Sequence, residues 1–119
     1  MSVLVAVADG AEGRAALAAA AAEAALLGTE LVAVNLTLDP LDRTEGPLAD
    51  AGVTVLERSG PQDRDPAVAV LDELAQRRDV HRLVIGVRRR SRVGKMLLGS
   101  ISQRLLLESP VPVLAVKPD

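Results

Sequence analysis

The densest chemistry in this sequence lies between residues 86 and 100: Gly86, then Arg88, Arg89, Arg90, Arg92 and Lys95, then Gly99-Ser100. The segment follows an apolar run, Arg82-Leu83-Val84-Ile85, that reads as a buried strand. It leads into Ile101-Ser102-Gln103-Arg104-Leu105-Leu106-Leu107-Glu108, which reads as a helix. A glycine-punctuated loop between a strand and a helix start is an anion site in chemical terms, because backbone N–H groups and the positive helix end both face into it. Arginines there grip phosphate oxygens through charge-assisted hydrogen bonds of about 1.5–3 kcal/mol each in a favourable site. Two local readings compete. Ser100 and Gln103 have capping-box spacing, with Gly99 making the turn, and most arginine runs on loops are solvated faces. Gly94-Lys95 is followed by Met96 rather than by Ser or Thr, so the segment is not a P-loop.

Outside this loop the candidates are few. Asp9 ends the first apolar run and serves either as a contact for a sugar hydroxyl or metal-bound water, or as a helix cap with Glu12 at the matching spacing. His81 is the single histidine, flanked by Val80 and Arg82, and a surface position is expected for it. Without cysteine, one histidine makes no metal site, and no serine sits in a nucleophile-elbow pattern beside a base. No catalytic residue and no metal ligand is predicted.

Composition narrows the partners. The 119 residues are 49% apolar, enough for one domain spanning residues 1–119 with a true core. Net charge is −2, yet from Arg82 onward eight cations face only Glu108 and Asp119, so the basic loop is a local feature. Aromatic residues are absent, which removes the stacking platform of single-strand binders; no nucleic-acid partner is expected. The run from Ala15 to Leu27 is interrupted by Glu23 and preceded by Asp9 and Glu12 rather than by cations, unlike a signal peptide. No apolar stretch reaches membrane-spanning length, and a cytoplasmic location is expected.

The elements that must position these residues alternate. Val3 to Val7 reads as a strand ending at Asp9-Gly10, and an alanine-rich helix runs to Leu27 with Gly28 as its stop. Glu30 to Leu36 is a second strand. A polar stretch follows, with at most a helical turn near Leu48-Ala49-Asp50-Ala51, and then a third strand, Val53 to Leu56. Ser59-Gly60-Pro61 breaks that strand. Asp65-Pro66 opens a helix whose predicted buried stripe is Val68, Leu71, Leu74 and Ala75. Leu83 to Ile85 is the fourth strand, and Val111 to Val116, after Pro110, is the fifth. Strands alternating with helices imply a parallel sheet covered on both faces, which binds ligands at the carboxyl ends of its strands.

At this point the chain resembles the universal stress protein family along its whole length. Nucleotide-binding members carry Gly, two residues, Gly, nine residues, then Gly-Ser or Gly-Thr after the fourth strand. Gly86 and Gly99-Ser100 hold the outer positions of that pattern, Leu97-Leu98-Gly99-Ser100-Ile101 matches its wording, and so does Pro110-Val111-Pro112-Val113-Leu114-Ala115-Val116. Two departures stand out: Arg89 occupies the place of the second glycine, and Ala8 that of the aspartate closing strand one, with Asp9 next to it. The resemblance implies a Rossmann-like, adenine nucleotide alpha hydrolase-like sheet of five strands in the order 3-2-1-4-5, with helices on both faces and the second helix short or missing. It further implies ATP or a related adenine nucleotide, with or without magnesium, held by Asp9, Leu36, Gly86, Arg88, Arg89, Gly99, Ser100, Ile101 and Ser102. Val34 and Leu36 would wall the adenine. A homodimer through Val111–Val116, a protein partner in a stress response, and no enzymatic activity beyond slow, incidental ATP hydrolysis complete the expectation. The alternative is a dimeric interaction module of the same family that binds no nucleotide, favoured by Ala8 and Arg89. A flavin carrier of similar topology is a third reading.

Overall fold

Short β-branched runs that are apolar at every position can be buried only where both faces of a strand are covered, and this chain folds accordingly. The computed structural model describes residues 1–44, 46–50, 52–57, 65–89, 96–97 and 99–118, with 88, 89, 96 and 97 described by backbone alone. The elements run β1 (Ser2–Val7), α1 (Gly10–Leu27), β2 (Glu30–Asn35), β3 (Val53–Leu56), α2 (Pro66–Gln76), β4 (Val80–Gly86), β5 (Arg88–Arg89), β6 (Met96–Leu97), α3 (Ser100–Glu108) and β7 (Val113–Val116). Five of the strands form one sheet in the order β3-β2-β1-β4-β7, every neighbouring pair parallel. This is the expected order, with β7 as the fifth strand. The crossover from β2 to β3 holds a single 3-10 turn, Gly46–Ala49, in place of a full helix.

Side chains alternate between the faces. Val3, Val5, Leu31, Ala33 and Val84 pack against Ala16, Ala20 and Ala24 of α1. Leu4, Ala6, Val32, Val34, Leu83 and Ile85 pack against Ala67, Val70 and Leu74 of α2 and Leu105 of α3. Leu4, Leu83 and Ile85 are among the largest fully buried side chains, each contributing about 1.5–3 kcal/mol of hydrophobic stabilisation.

The ends of the helices follow from local chemistry. Gly28 takes a left-handed φ of 64°, and the N–H groups of Gly28 and Thr29 return to the carbonyls of Ala25 and Ala24 at 3.3 and 2.9 Å, which stops α1. Asp65 accepts the Ala67 N–H at 2.9 Å ahead of Pro66, as its sequence predicts for α2.

Four expectations are corrected. The buried stripe of α2 is Ala67, Val70 and Leu74, with Leu71 partly buried, while Ala75 is exposed: valine and alanine crowd two possible stripes, and docking on the sheet selects the phase. The last strand begins at Val113, because Pro112 has no N–H and the Val111 N–H turns to the Ser109 hydroxyl at 3.2 Å. His81 is not a surface residue. Both its ring nitrogens are buried without a hydrogen-bond partner, and it is the residue a bulge inserts between Val80, opposite Ser2, and Arg82, opposite Val3. Finally, the segment after β4 is not wholly a loop, since Arg88 and Arg89 pair antiparallel with Leu97 and Met96. The break at Ser59-Gly60-Pro61 and the residues Arg90, Arg92 and Lys95 lie outside the described residues.

Candidate functional site

β1 leads toward β2 on one side and β4 toward β7 on the other, so the sheet reverses its order between β1 and β4. A crevice opens at such a switch point because the two connections leave in opposite directions. Here α1 starts above the end of β1, on one face, and α3 starts beyond the end of β4, on the other. Between them lies a cleft of about 360 Å³ lined by Ala6, Ala8, Asp9, Glu12, Leu36, Ile85, Gly86, Gly99, Ser100, Ile101, Ser102 and Leu105.

Both helices open onto it without a side-chain cap. Asp9 stands at the N-cap of α1 but makes no capping hydrogen bond, so the capping reading of Asp9 fails. Gly10 turns the chain there at φ 79°, a conformation only glycine adopts cheaply. At α3 the N-cap is Gly99, and Ser100 is already the first helical residue. The Ser100–Gln103 capping box therefore does not form; the Gln103 N–H closes the first helical turn onto the Gly99 carbonyl at 2.9 Å. The N–H groups of Ser100, Ile101 and Ser102 have no partner within the helix, and the positive end of its dipole is turned to the cleft.

The glycines at the site do different work. A Cβ on Gly86 would overlap the Glu12 backbone carbonyl, and one on Gly13 would overlap the Ala8 carbonyl. These two bare positions let the first turn of α1 press onto the ends of β1 and β4. Gly99 is the opposite case. Its φ of −65° and ψ of 165° suit any residue, and a Cβ there would meet no described atom within 4 Å. Neither its backbone nor any described neighbour calls for glycine at 99, which lines the cleft.

Of the residues expected to bind nucleotide, the structure brings Asp9, Leu36, Gly86, Gly99, Ser100, Ile101 and Ser102 around this one cleft. The Ser102 hydroxyl donates to the Gly86 carbonyl at 3.2 Å and ties α3 to β4. Leu36 is held by its own N–H, which donates to the Val7 carbonyl at 2.9 Å. Val34, expected beside Leu36, points instead into the core under α2. Arg88 and Arg89 have the extended backbone of the ribbon, so the position of the missing motif glycine requires no special backbone conformation. Ala8 and Asp9 both line the cleft, which places a carboxylate at its β1 end despite the shift by one residue.

Sequence reasoning missed Glu12 as a lining residue and gave Gly13 no role. The signal for Gly13 was available, since glycine inside a helix costs about 1 kcal/mol and calls for a packing reason. Among the described residues no group of three or more side chains is arranged to hold a metal ion. Away from the cleft, in the β2–β3 crossover, the Thr44 hydroxyl and then its N–H hold the Asp42 carboxyl below its ordinary pKa.

Comparison with known proteins agrees with this geometry. Residues 61–117 match the model of the Universal stress protein family. The chain is 40% identical, over a 116-residue alignment covering 89% of each protein, to a universal stress protein of Mycolicibacterium smegmatis. A solved universal stress protein from Archaeoglobus fulgidus superimposes with a TM-score of 0.70 at 26% identity, covering 98% of both chains. The Archaeoglobus fulgidus protein in complex with dAMP shares the fold at a TM-score of 0.64 and 23% identity, again over 98% of both chains.

Proposed function

This chain belongs to the universal stress protein family, and from that premise we propose that it binds ATP or a related adenine nucleotide in the cleft between β1 and β4. Gly99 carries this reading: a glycine that neither its backbone nor any described neighbour requires lines the cleft at an uncapped helix start, where a side chain would stand in the way of a phosphate. The N–H groups of Ser100, Ile101 and Ser102 receive the phosphate oxygens. Leu36, Ile85, Ile101 and Leu105 offer an aliphatic wall for the base, as a chain without aromatics must. The Asp9 carboxylate is an acceptor for ribose hydroxyls, and magnesium, where present, arrives with the phosphates. A structural relative holding dAMP supports adenine as the base.

The protein acts by binding rather than by chemistry. Any ATP hydrolysis is slow and incidental to that binding. The bound nucleotide changes a surface read by a protein partner. The assembly is a homodimer through the edge strand β7. The setting is the cytoplasm, in keeping with the absence of any described helix long and apolar enough to cross a membrane.

Thermal melting with AMP and with ATP, each with and without magnesium, tests the reading. A ligand at a hundred times its Kd adds about 2.7 kcal/mol of stability. No shift with any of them at millimolar concentration leaves the second reading, an interaction module without nucleotide, which Arg89 in place of glycine favours.

A further inference from the structure

Of the large apolar residues around the cleft, Leu36 alone stands on a loop; Ile85, Ile101 and Leu105 stand on β4 and α3. What holds that loop is the side chain before it. Asn35 is 1% exposed, and no other side chain at the carboxyl edge of the sheet is as deeply buried and as fully hydrogen-bonded. Its Nδ2 donates to the Asp39 carbonyl at 2.7 Å and to Glu57 Oε2 at 2.6 Å. Its Oδ1 accepts from the Thr37 N–H at 2.8 Å and lies 2.7 Å from the Thr37 hydroxyl. The other oxygen of Glu57 accepts the Leu41 N–H at 3.3 Å. The Thr37 hydroxyl also lies 2.7 Å from the Asp39 carbonyl and has one proton for the two acceptors, so the amide uses both donor positions and at least one acceptor position. It folds residues 35 to 39 into a closed loop and ties that loop to the end of β3.

An apolar residue would have served the sheet at this position without needing these partners. The polar side chain therefore has a purpose outside the core, and the segment it fixes carries Leu36 at the edge of the cleft. We propose that Asn35 is the positioning residue for the nucleobase: through Thr37, Asp39 and Glu57 it holds the Leu36 loop in place, and so sets the preference for a complete nucleotide over a sugar phosphate. The proposal rests on the nucleotide reading of the cleft. Asn35 touches no ligand itself; it acts through Leu36.

Asn35→Asp keeps the shape and the acceptor for Thr37 but loses both donors, and sets an oxygen against the Glu57 carboxylate and the Asp39 carbonyl. Adding Glu57→Gln returns one donor to the pair. NMR titration of AMP and of ribose 5-phosphate, with amide hydrogen exchange on the ligand-free proteins, separates the outcomes. Asn35→Asp weakens AMP by about tenfold or more, the loss a site suffers when buried polar groups are left unpaired. It leaves ribose 5-phosphate nearly unchanged and speeds exchange only in residues 36–41. The double variant recovers part of the AMP affinity. Glu57→Ala, at an exposed position, acts in the same direction with a smaller loss and covers the case in which Asn35→Asp does not fold. AMP affinity equal to wild type in Asn35→Asp overturns the proposal. Equal loss of both ligands, with faster exchange throughout the sheet, also overturns it by showing a merely structural role. A wild-type protein that binds neither AMP nor ribose 5-phosphate overturns the nucleotide reading itself, and the proposal with it.

Discussion

Two glycines of one spacing pattern turn out to be different residues in physical terms. Gly86 is bare because the Glu12 backbone occupies the place of its Cβ, so Gly86→Ala forces α1 away from β4. We expect it to cost about 1–3 kcal/mol, the range for overpacking a tight contact, read as a lowered midpoint in urea unfolding whether or not nucleotide is present. Gly99 is bare toward the cleft. Gly99→Val should therefore leave the midpoint within about 0.5 kcal/mol of wild type, as at an unconstrained exposed site, and abolish the stabilisation by AMP. A large loss of stability in Gly99→Val would instead make it a structural glycine. The spacing of Gly86 and Gly99 was legible in the sequence. Their separate duties were not, because what stands opposite Gly86 is Glu12 of α1, a contact between distant parts of the chain, while no described atom stands opposite Gly99.

At the scale of elements, the capped start of α2 and the glycine stop of α1 were legible because they depend on near neighbours, whereas the caps expected of Asp9 and Ser100 do not form. Asp65 is the clearest: it caps the Ala67 N–H at 2.9 Å, and its second oxygen lies 3.4 Å from Arg104 Nη1 of α3. Asp65→Ala should cost about 1 kcal/mol through the lost cap, with little from the exposed ion pair, measured as a lowered thermal midpoint. Restoring Asp65→Asn, which retains a cap acceptor without the charge, should recover most of that loss. The alanine stripe Ala16, Ala20 and Ala24 was harder to read. In a helix this rich in alanine nearly every face is small and apolar, so hydrophobic contrast does not mark the buried one. Contact with β1 and β2 decides it. In α2 the favoured Leu74 is buried and Leu71 packs against the core, but Ala67 and Val70 complete the stripe in place of Val68 and Ala75.

At the scale of the whole molecule, β7 is an edge strand paired on one side only, with β4. Leu114 is 36% exposed and Ala115 is exposed beside it, an apolar edge of the kind that pairs with another chain. Under the proposed dimer, Leu114→Lys should give monomers in sedimentation equilibrium at micromolar concentration. AMP binding should survive, because Leu114 does not line the cleft. Leu114→Lys that stays dimeric would place the interface elsewhere. Alternation made the parallel sheet legible, and the family resemblance supplied the order of its strands.

The sequence by itself determined the class of sheet, the capped start of α2 and the glycine stop of α1. Each of these depends on residues close together in the chain or on a spacing along it. Only the tertiary structure decided that the start of α3 is uncapped, that Asp9 faces the cleft instead of closing its helix, and that His81 sits half-buried at a bulge with both ring nitrogens shielded. It alone revealed Asn35 at the centre of the loop behind Leu36. Those outcomes depend on which backbone ends meet when α1 and α3 dock at the switch point of the sheet, and on hydrogen bonds, such as Asn35 to Glu57, between residues far apart in sequence. Local propensity does not encode such meetings; the packing of the folded chain does.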